Sequence, residues 1–111
     1  MNTVLRPPAP PREDITEAAF QDLVVHLAKV CGWTCYHTFD SRRSEAGYPD
    51  LTLVRERVIW RELKARRGRM TAEQQEWGRL LQAANANWGL WYPSDWPLIC
   101  DILTAPIQRH L

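Results

Sequence analysis

The chain predicts an α/β domain built on a mixed central β-sheet flanked by helices, with an αβββαβ core and a further helix at the C-terminus. Three observations carry that prediction. Two amphipathic stretches with helical spacing bracket short segments rich in aromatic and β-branched residues. Two of those segments, "DLTLV" and "VIWRELK", are separated only by Arg55, Glu56 and Arg57, which predicts an antiparallel hairpin with a tight, charged turn. A fourth strand segment follows the second helix, and a strand that arrives through a helical crossover makes the sheet mixed.

The elements follow in order. Residues 1–13, "MNTVLRPPAPPRE", are rich in proline and predict a disordered or extended arm, leaving residues 14–111 as a single domain. From Asp14, "DITEAAFQDLVVHLAKVCG" places Phe20, Leu23, Val24, Leu27 and Cys31 on one helical face, and Gly32 can supply the left-handed stop. "WTCYHTF" reads as a strand and "DSRRSEAGYP" as a loop. After the hairpin and the loop "ARRGRM", residues 71–84 predict a second helix. "NWGLWYP" is the fourth strand. "SDWPLICDILTA" is the last helix, capped by Ser94 or Asp95 with Pro97 in its first turn.

At 111 residues, 45% of them hydrophobic, the chain has room for one modest core. No apolar run approaches the roughly 20 residues that cross a bilayer, and the N-terminus lacks the apolar core of a signal peptide. The expectation is a soluble cytoplasmic protein without a membrane partner. Cys31, Cys35 and Cys100 are odd in number and form no CxxC pair, which suits reduced thiols. Cys31, Cys35 and His37 offer only three zinc ligands, so packed thiols and a turn or strand histidine are expected instead. Of the six tryptophans, Trp33, Trp60 and Trp77 fit core positions. Trp88, Trp91 and Trp96 crowd the C-terminal quarter, where core packing competes with a dimer interface or base stacking.

The net charge of +1 conceals an uneven distribution. Nine basic residues against four acidic ones lie between Arg42 and Arg69. A middle third this rich in arginine suits phosphate contacts, because the planar guanidinium matches phosphate geometry and keeps its charge. A solvated charged face is the plainer alternative.

Within that basic region two acids converge. Side chains alternate along a strand, so Val58, Trp60, Glu62 and Lys64 share one face, with Glu62 near the sheet end. The hairpin brings Asp50, just after Pro49, beside Glu62. Converging carboxylates repel unless a divalent cation binds between them, and magnesium held by carboxylates and phosphate oxygens is the usual arrangement in phosphodiester chemistry. Lys64 would then reach an attacking water or the scissile phosphate. Taken singly, Asp50 could be a turn aspartate, and Glu62 with Lys64 a surface ion pair.

"GYPDL" followed by "RELK" resembles the PD-(D/E)xK nuclease superfamily, with Pro49, Asp50, Glu62 and Lys64 as its motif. With "CGW", "GYPDLTLV", "ELKARRGRMTAEQQEWGRLLQAANA" and "WYPSDW", the chain resembles, from about Glu13 to Leu103, the virus-type replication-repair (VRR-Nuc) family. The resemblance implies a restriction-endonuclease-like fold. Glu17 would be the acid on the first helix that helps hold the metal site, although Asp14-x-x-Glu17 also fits a capping box. Gln74 would be the glutamine after the ExK strand, although Thr71-x-x-Gln74 is likewise a capping-box pattern. Gln75 lies round the helix and is the poorer candidate.

The expected function is a Mg²⁺- or Mn²⁺-dependent, structure-selective DNA endonuclease. Asp50, Glu62, Glu17 and the Leu63 carbonyl would hold metal, Lys64 would activate water, and Gln74 would support the site. Arg42, Arg43, Arg66, Arg67 and Arg69 would grip backbone phosphates. The resemblance further implies a homodimer that cuts branched DNA such as four-way junctions in a bacterial or phage-infected cell. Two rival readings are a nucleic-acid-binding module that does not cut and an interaction subunit of a replication complex.

Overall fold

The computed structural model describes residues 8–38 and 45–108. Thr16 opens helix α1 (Glu17–Val30): its hydroxyl accepts from the Ala19 N–H at 3.1 Å, satisfying a donor that the helix start leaves without a partner. The capping box that Asp14 and Glu17 offered as an alternative to a site role for Glu17 is therefore not made. Asp14 lies outside the helix, and its carboxylate pairs with Arg12 at 3.3 Å in an exposed position. Phe20, Val24, Leu27 and Ala28 form the buried stripe of α1. Gly32, at φ +90°, turns the chain out of the helix as predicted.

Trp33 then leaves the strand path and enters the core, where its indole donates to the Leu103 carbonyl at 3.0 Å. Strand β1 (Thr34–His37) is accordingly shorter than predicted. Strands β2 (Leu51–Val54) and β3 (Val58–Leu63) form the expected hairpin, with Leu51 opposite Arg61 and Val54 opposite Val58. β1 lies antiparallel along the other edge of β2, with Tyr36 opposite Thr52. Helix α2 (Ala72–Ala83) carries the chain to β4 (Asn87–Trp91), which runs parallel to β3. The sheet order β1-β2-β3-β4 makes the sheet mixed, as the chain order predicts.

One face of the sheet carries Leu51, Leu53, Ile59, Leu63 and Trp91. These pack with α1 and with helix α3 (Trp96–Thr104), whose Ile99, Cys100 and Leu103 are buried. The opposite face carries Thr52, Trp60 and Trp88 in register, and α2 crosses it at β4. Gly78 permits that crossing, because a Cβ there would lie 2.6 Å from the Trp88 ring. At α3 the predicted side-chain cap is absent. Asp95 occupies the cap position, but its carboxylate turns back to accept from the Tyr92 N–H at 2.8 Å, closing a 3₁₀ turn over Pro93–Asp95.

The tryptophans divide differently from the expectation. Trp33, Trp91 and Trp96 are buried, whereas Trp60, Trp77 and Trp88 are only half-buried on the α2 face. Trp60 and Trp77 stay out of the main core because a single helix covers that face of the sheet. Among the described residues no helix is long and apolar enough to cross a membrane.

Candidate metal centre

The hairpin register places Asp50 one step beyond the Leu51–Arg61 pair, at the end of the sheet where Glu62 also lies. Buried Pro49 precedes Asp50 and fixes the approach, while the Thr38 N–H donates to the Asp50 carbonyl at 3.1 Å. With its backbone anchored, Asp50 turns its carboxylate across to β3, where Oδ2 accepts from the Leu63 N–H at 2.8 Å. The N–H and C=O of one strand residue point to the same side, so the Leu63 carbonyl is carried toward Asp50 as well.

Glu62 is 1% exposed, an unusual position for a carboxylate. Burial raises its pKa to about 9, reinforced by a hydrogen bond with Asp50 and by the negative charges of Asp50 and Glu17; Lys64 opposes the shift only in part. At neutral pH Glu62 therefore holds a proton, which relieves the repulsion among the crowded acids. Gln74 supplies the remaining partner, donating from Nε2 to Glu62 Oε1 at 3.0 Å.

The orientation of that amide follows from its other end. The Thr71 N–H, which can only donate, lies 2.8 Å from Gln74 Oε1, and Thr71 Oγ1 accepts from the Gln74 N–H at 3.1 Å. Gln74 thus completes the capping box of α2 and touches Glu62 with the same side chain. Gln75 turns away and bonds the Met70 carbonyl.

Glu17, in the first turn of α1, brings the third carboxylate. One ligand oxygen each from Glu17, Asp50 and Glu62 lies within 4.8 Å of the others. Lys64 Nζ stands 3.8 Å from Glu17 Oε1, its side chain largely buried. A cleft of about 430 Å³ opens over this group, lined by Glu17, Tyr48, Asp50, Lys64 and Gln74 among others, with Glu62 sitting behind that wall. Three hard oxygen donors suit a divalent ion of the magnesium or manganese type, and its charge would relieve the repulsion that protonation now relieves.

Arg66, Arg67 and Arg69 are exposed in the loop after β3, and Arg66 pairs with Glu13 at 3.0 Å. Arg67 holds a left-handed backbone at φ 64°, in a loop that Tyr92 clamps by donating from its hydroxyl to the Gly68 carbonyl at 2.8 Å. Arg42 and Arg43 lie outside the described residues. Three further arginines of the basic region serve the fold. Arg55 lies over the Trp33 ring and bonds Glu56 and the Ala105 carbonyl, Arg57 pairs with Glu56, and buried Arg61 lies over Trp91 while bonding Asn87.

Among the described residues the three carboxylates are the only His, Cys, Asp or Glu group placed to hold a metal ion, so Cys31, Cys35 and His37 form no such site. All three cysteines are free thiols. Sequence reasoning gave no separate role to Tyr48, which lines the cleft and accepts the Trp60 indole N–H at 3.2 Å; its place between Gly47 and Asp50 was the available signal. No family model matches the chain, and neither a curated protein nor a solved structure matches it.

Proposed function

We propose that the chain is a divalent-metal-dependent endonuclease that hydrolyses phosphodiester bonds in DNA, in the manner of the VRR-Nuc nucleases it resembles. The observation that carries this reading is the convergence of Glu17, Asp50 and Glu62 within 4.8 Å, with Lys64 beside them in an open cleft. Magnesium or manganese, held there by the three carboxylates with the Leu63 carbonyl, would supply Lewis-acid charge to a phosphate oxygen.

The chain's own groups have separable tasks. Lys64 holds the attacking water by hydrogen bond and offsets negative charge that develops on the phosphoryl oxygens. Glu17 keeps the Lys64 ammonium at the mouth of the cleft. Gln74 fixes the Glu62 carboxyl so that loss of its proton leaves an oxygen aimed at the other ligands. Arg66, Arg67 and Arg69, exposed on the loop that follows Lys64, hold backbone phosphates without reading sequence. Cutting opposed strands of a branched substrate takes two sites, so the reading includes a two-fold dimer.

The test uses labelled duplex, single-stranded, flap and four-way-junction DNA with magnesium, manganese or chelator, beside Lys64→Ala. Metal-dependent nicking, strongest on the junction and lost in the variant, is the expected result. Tight binding without cutting in either metal would replace the enzyme by a nucleic-acid-binding module.

A further inference from the structure

The cleft over the carboxylates continues past them. A second hollow of about 290 Å³, lined by Tyr36, Thr38, Glu45, Tyr48 and Trp77, shares Thr38, Glu45 and Tyr48 with the first. Three of its walls are aromatic, and two of those are locked in place. Trp77 donates from Nε1 to the Ala46 carbonyl at 3.1 Å, and Tyr48 meets Trp77 edge to face with ring centroids 5.1 Å apart. The Tyr48 hydroxyl in turn takes the Trp60 indole N–H. Tyr36, the third wall, stands on the open face of β1 with 62% of its surface exposed. Rigid rings beside one exposed ring give a platform on which a flat π-system stacks at small entropic cost.

Charge narrows the occupant. Among the described residues that line it, the one charged side chain is Glu45, which can accept an N–H from an exocyclic amine. Its chemistry fits the uncharged part of a nucleotide, and the three shared residues place it directly beside the carboxylates.

We propose that this hollow receives the base of an unpaired nucleotide adjacent to the phosphate at the carboxylates, with Tyr36 stacking on that base. The inference rests on the hydrolytic reading above and names its substrate class, a strand with at least one base outside the helical stack. A base inside an intact duplex must first be unpaired and unstacked, so one already displaced at a junction, flap or loop enters at lower cost.

The experiment uses the full chain in chelator, titrated with two duplexes of equal length, one fully paired and one containing a single unpaired 2-aminopurine. The unpaired substrate is expected to bind about tenfold more tightly, with 2-aminopurine fluorescence quenched on binding. Tyr36→Ala should lose both effects and Tyr36→Phe should keep both. Because Tyr36 is exposed, a melting curve for Tyr36→Ala is expected to match that of the parent. Equal affinity for the two duplexes overturns the proposal, as does a preference that survives in Tyr36→Ala. A dimer that Tyr36→Ala converts to monomer also overturns it, since the ring would then be a subunit contact.

Magnesium or manganese added to the same samples separates the two readings. Cutting without preference for the unpaired base removes the hollow and leaves the nuclease. Preference without cutting removes the nuclease and leaves the hollow as a binding site.

Discussion

Gln74 donates from its side-chain amide to Glu62 at 3.0 Å while the oxygen of that amide accepts from the Thr71 N–H at 2.8 Å. One residue therefore joins the start of α2 to the candidate metal centre. Gln74→Ala removes half of a capping box and leaves a buried carboxyl short of a partner. The expected loss is about 1–2 kcal/mol of stability, read by thermal or denaturant unfolding. Metal affinity should fall by about 10–100-fold, read by manganese titration. A variant that loses stability but keeps metal affinity would make Gln74 a cap alone.

Glu62 gives the metal-free protein an unusual pH dependence. Its carboxyl titrates at about 9 in the folded chain against an ordinary value of 4.5, so between those values the folded state holds one proton more than the unfolded state. Rising pH then favours unfolding: the contribution is complete below about pH 4.5 and is lost as pH climbs toward 9. In chelator the melting temperature should fall from pH 5 to pH 8.5, and Glu62→Gln should flatten that fall. Metal binding displaces the same proton, so apparent affinity should rise by up to about tenfold per pH unit below 9. Affinity that is constant across this range would show that Glu62 is not a ligand.

Glu56 works in the opposite direction at the acid end. Hydrogen bonds from Arg55 and from the Gln108 backbone, with the Arg55 charge, hold its pKa down at about 2. That contribution is present above about pH 4.5 and disappears as pH falls toward 2. Glu56→Gln should therefore shift the acid-unfolding midpoint upward, as followed by circular dichroism from pH 5 to pH 2.

Gly47 has φ +89°, and a Cβ there would fall into the Glu73–Gln74 peptide, 2.7 Å from the Gln74 nitrogen. Gly47→Ala combines a disfavoured backbone with a clash against the first turn of α2, so a loss of more than about 1 kcal/mol is expected. Because that turn carries Gln74, metal affinity should weaken with stability. An unchanged melting temperature would mean that the loop relaxes away from α2.

Arg66, Arg67 and Arg69 can be tested by salt dependence. Their joint replacement by glutamine should weaken binding to paired and branched DNA alike, and should lower the slope of log affinity against log salt by about 3. An unchanged slope would move the phosphate contacts elsewhere on the chain.

The sequence by itself determined the order of the elements, the hairpin, the capping pattern at Thr71 and Gln74, and the approach of Asp50 to Glu62. Each of these rests on local periodicity, a short connection or a turn, and such constraints act within about a dozen residues. Tertiary structure decided the rest. Arg55, Arg57 and Arg61 read as free positive charge until the fold engaged them: Arg55 bonds carbonyls of Cys31 and Ala105, and Arg61 reaches Asn87 across the sheet. Thr16 rather than Asp14 caps α1 because the turn before it, closed by the Ile15 N–H on the Arg12 carbonyl, sets where the helix begins. Glu62 shows the difference most directly: alternation along β3 placed its carboxyl beside Lys64, but its proton depends on burial and on Asp50, Glu17 and Gln74, which arrive from three other parts of the chain. Desolvation is a property of the packed surroundings, and no pattern of neighbours in sequence specifies it.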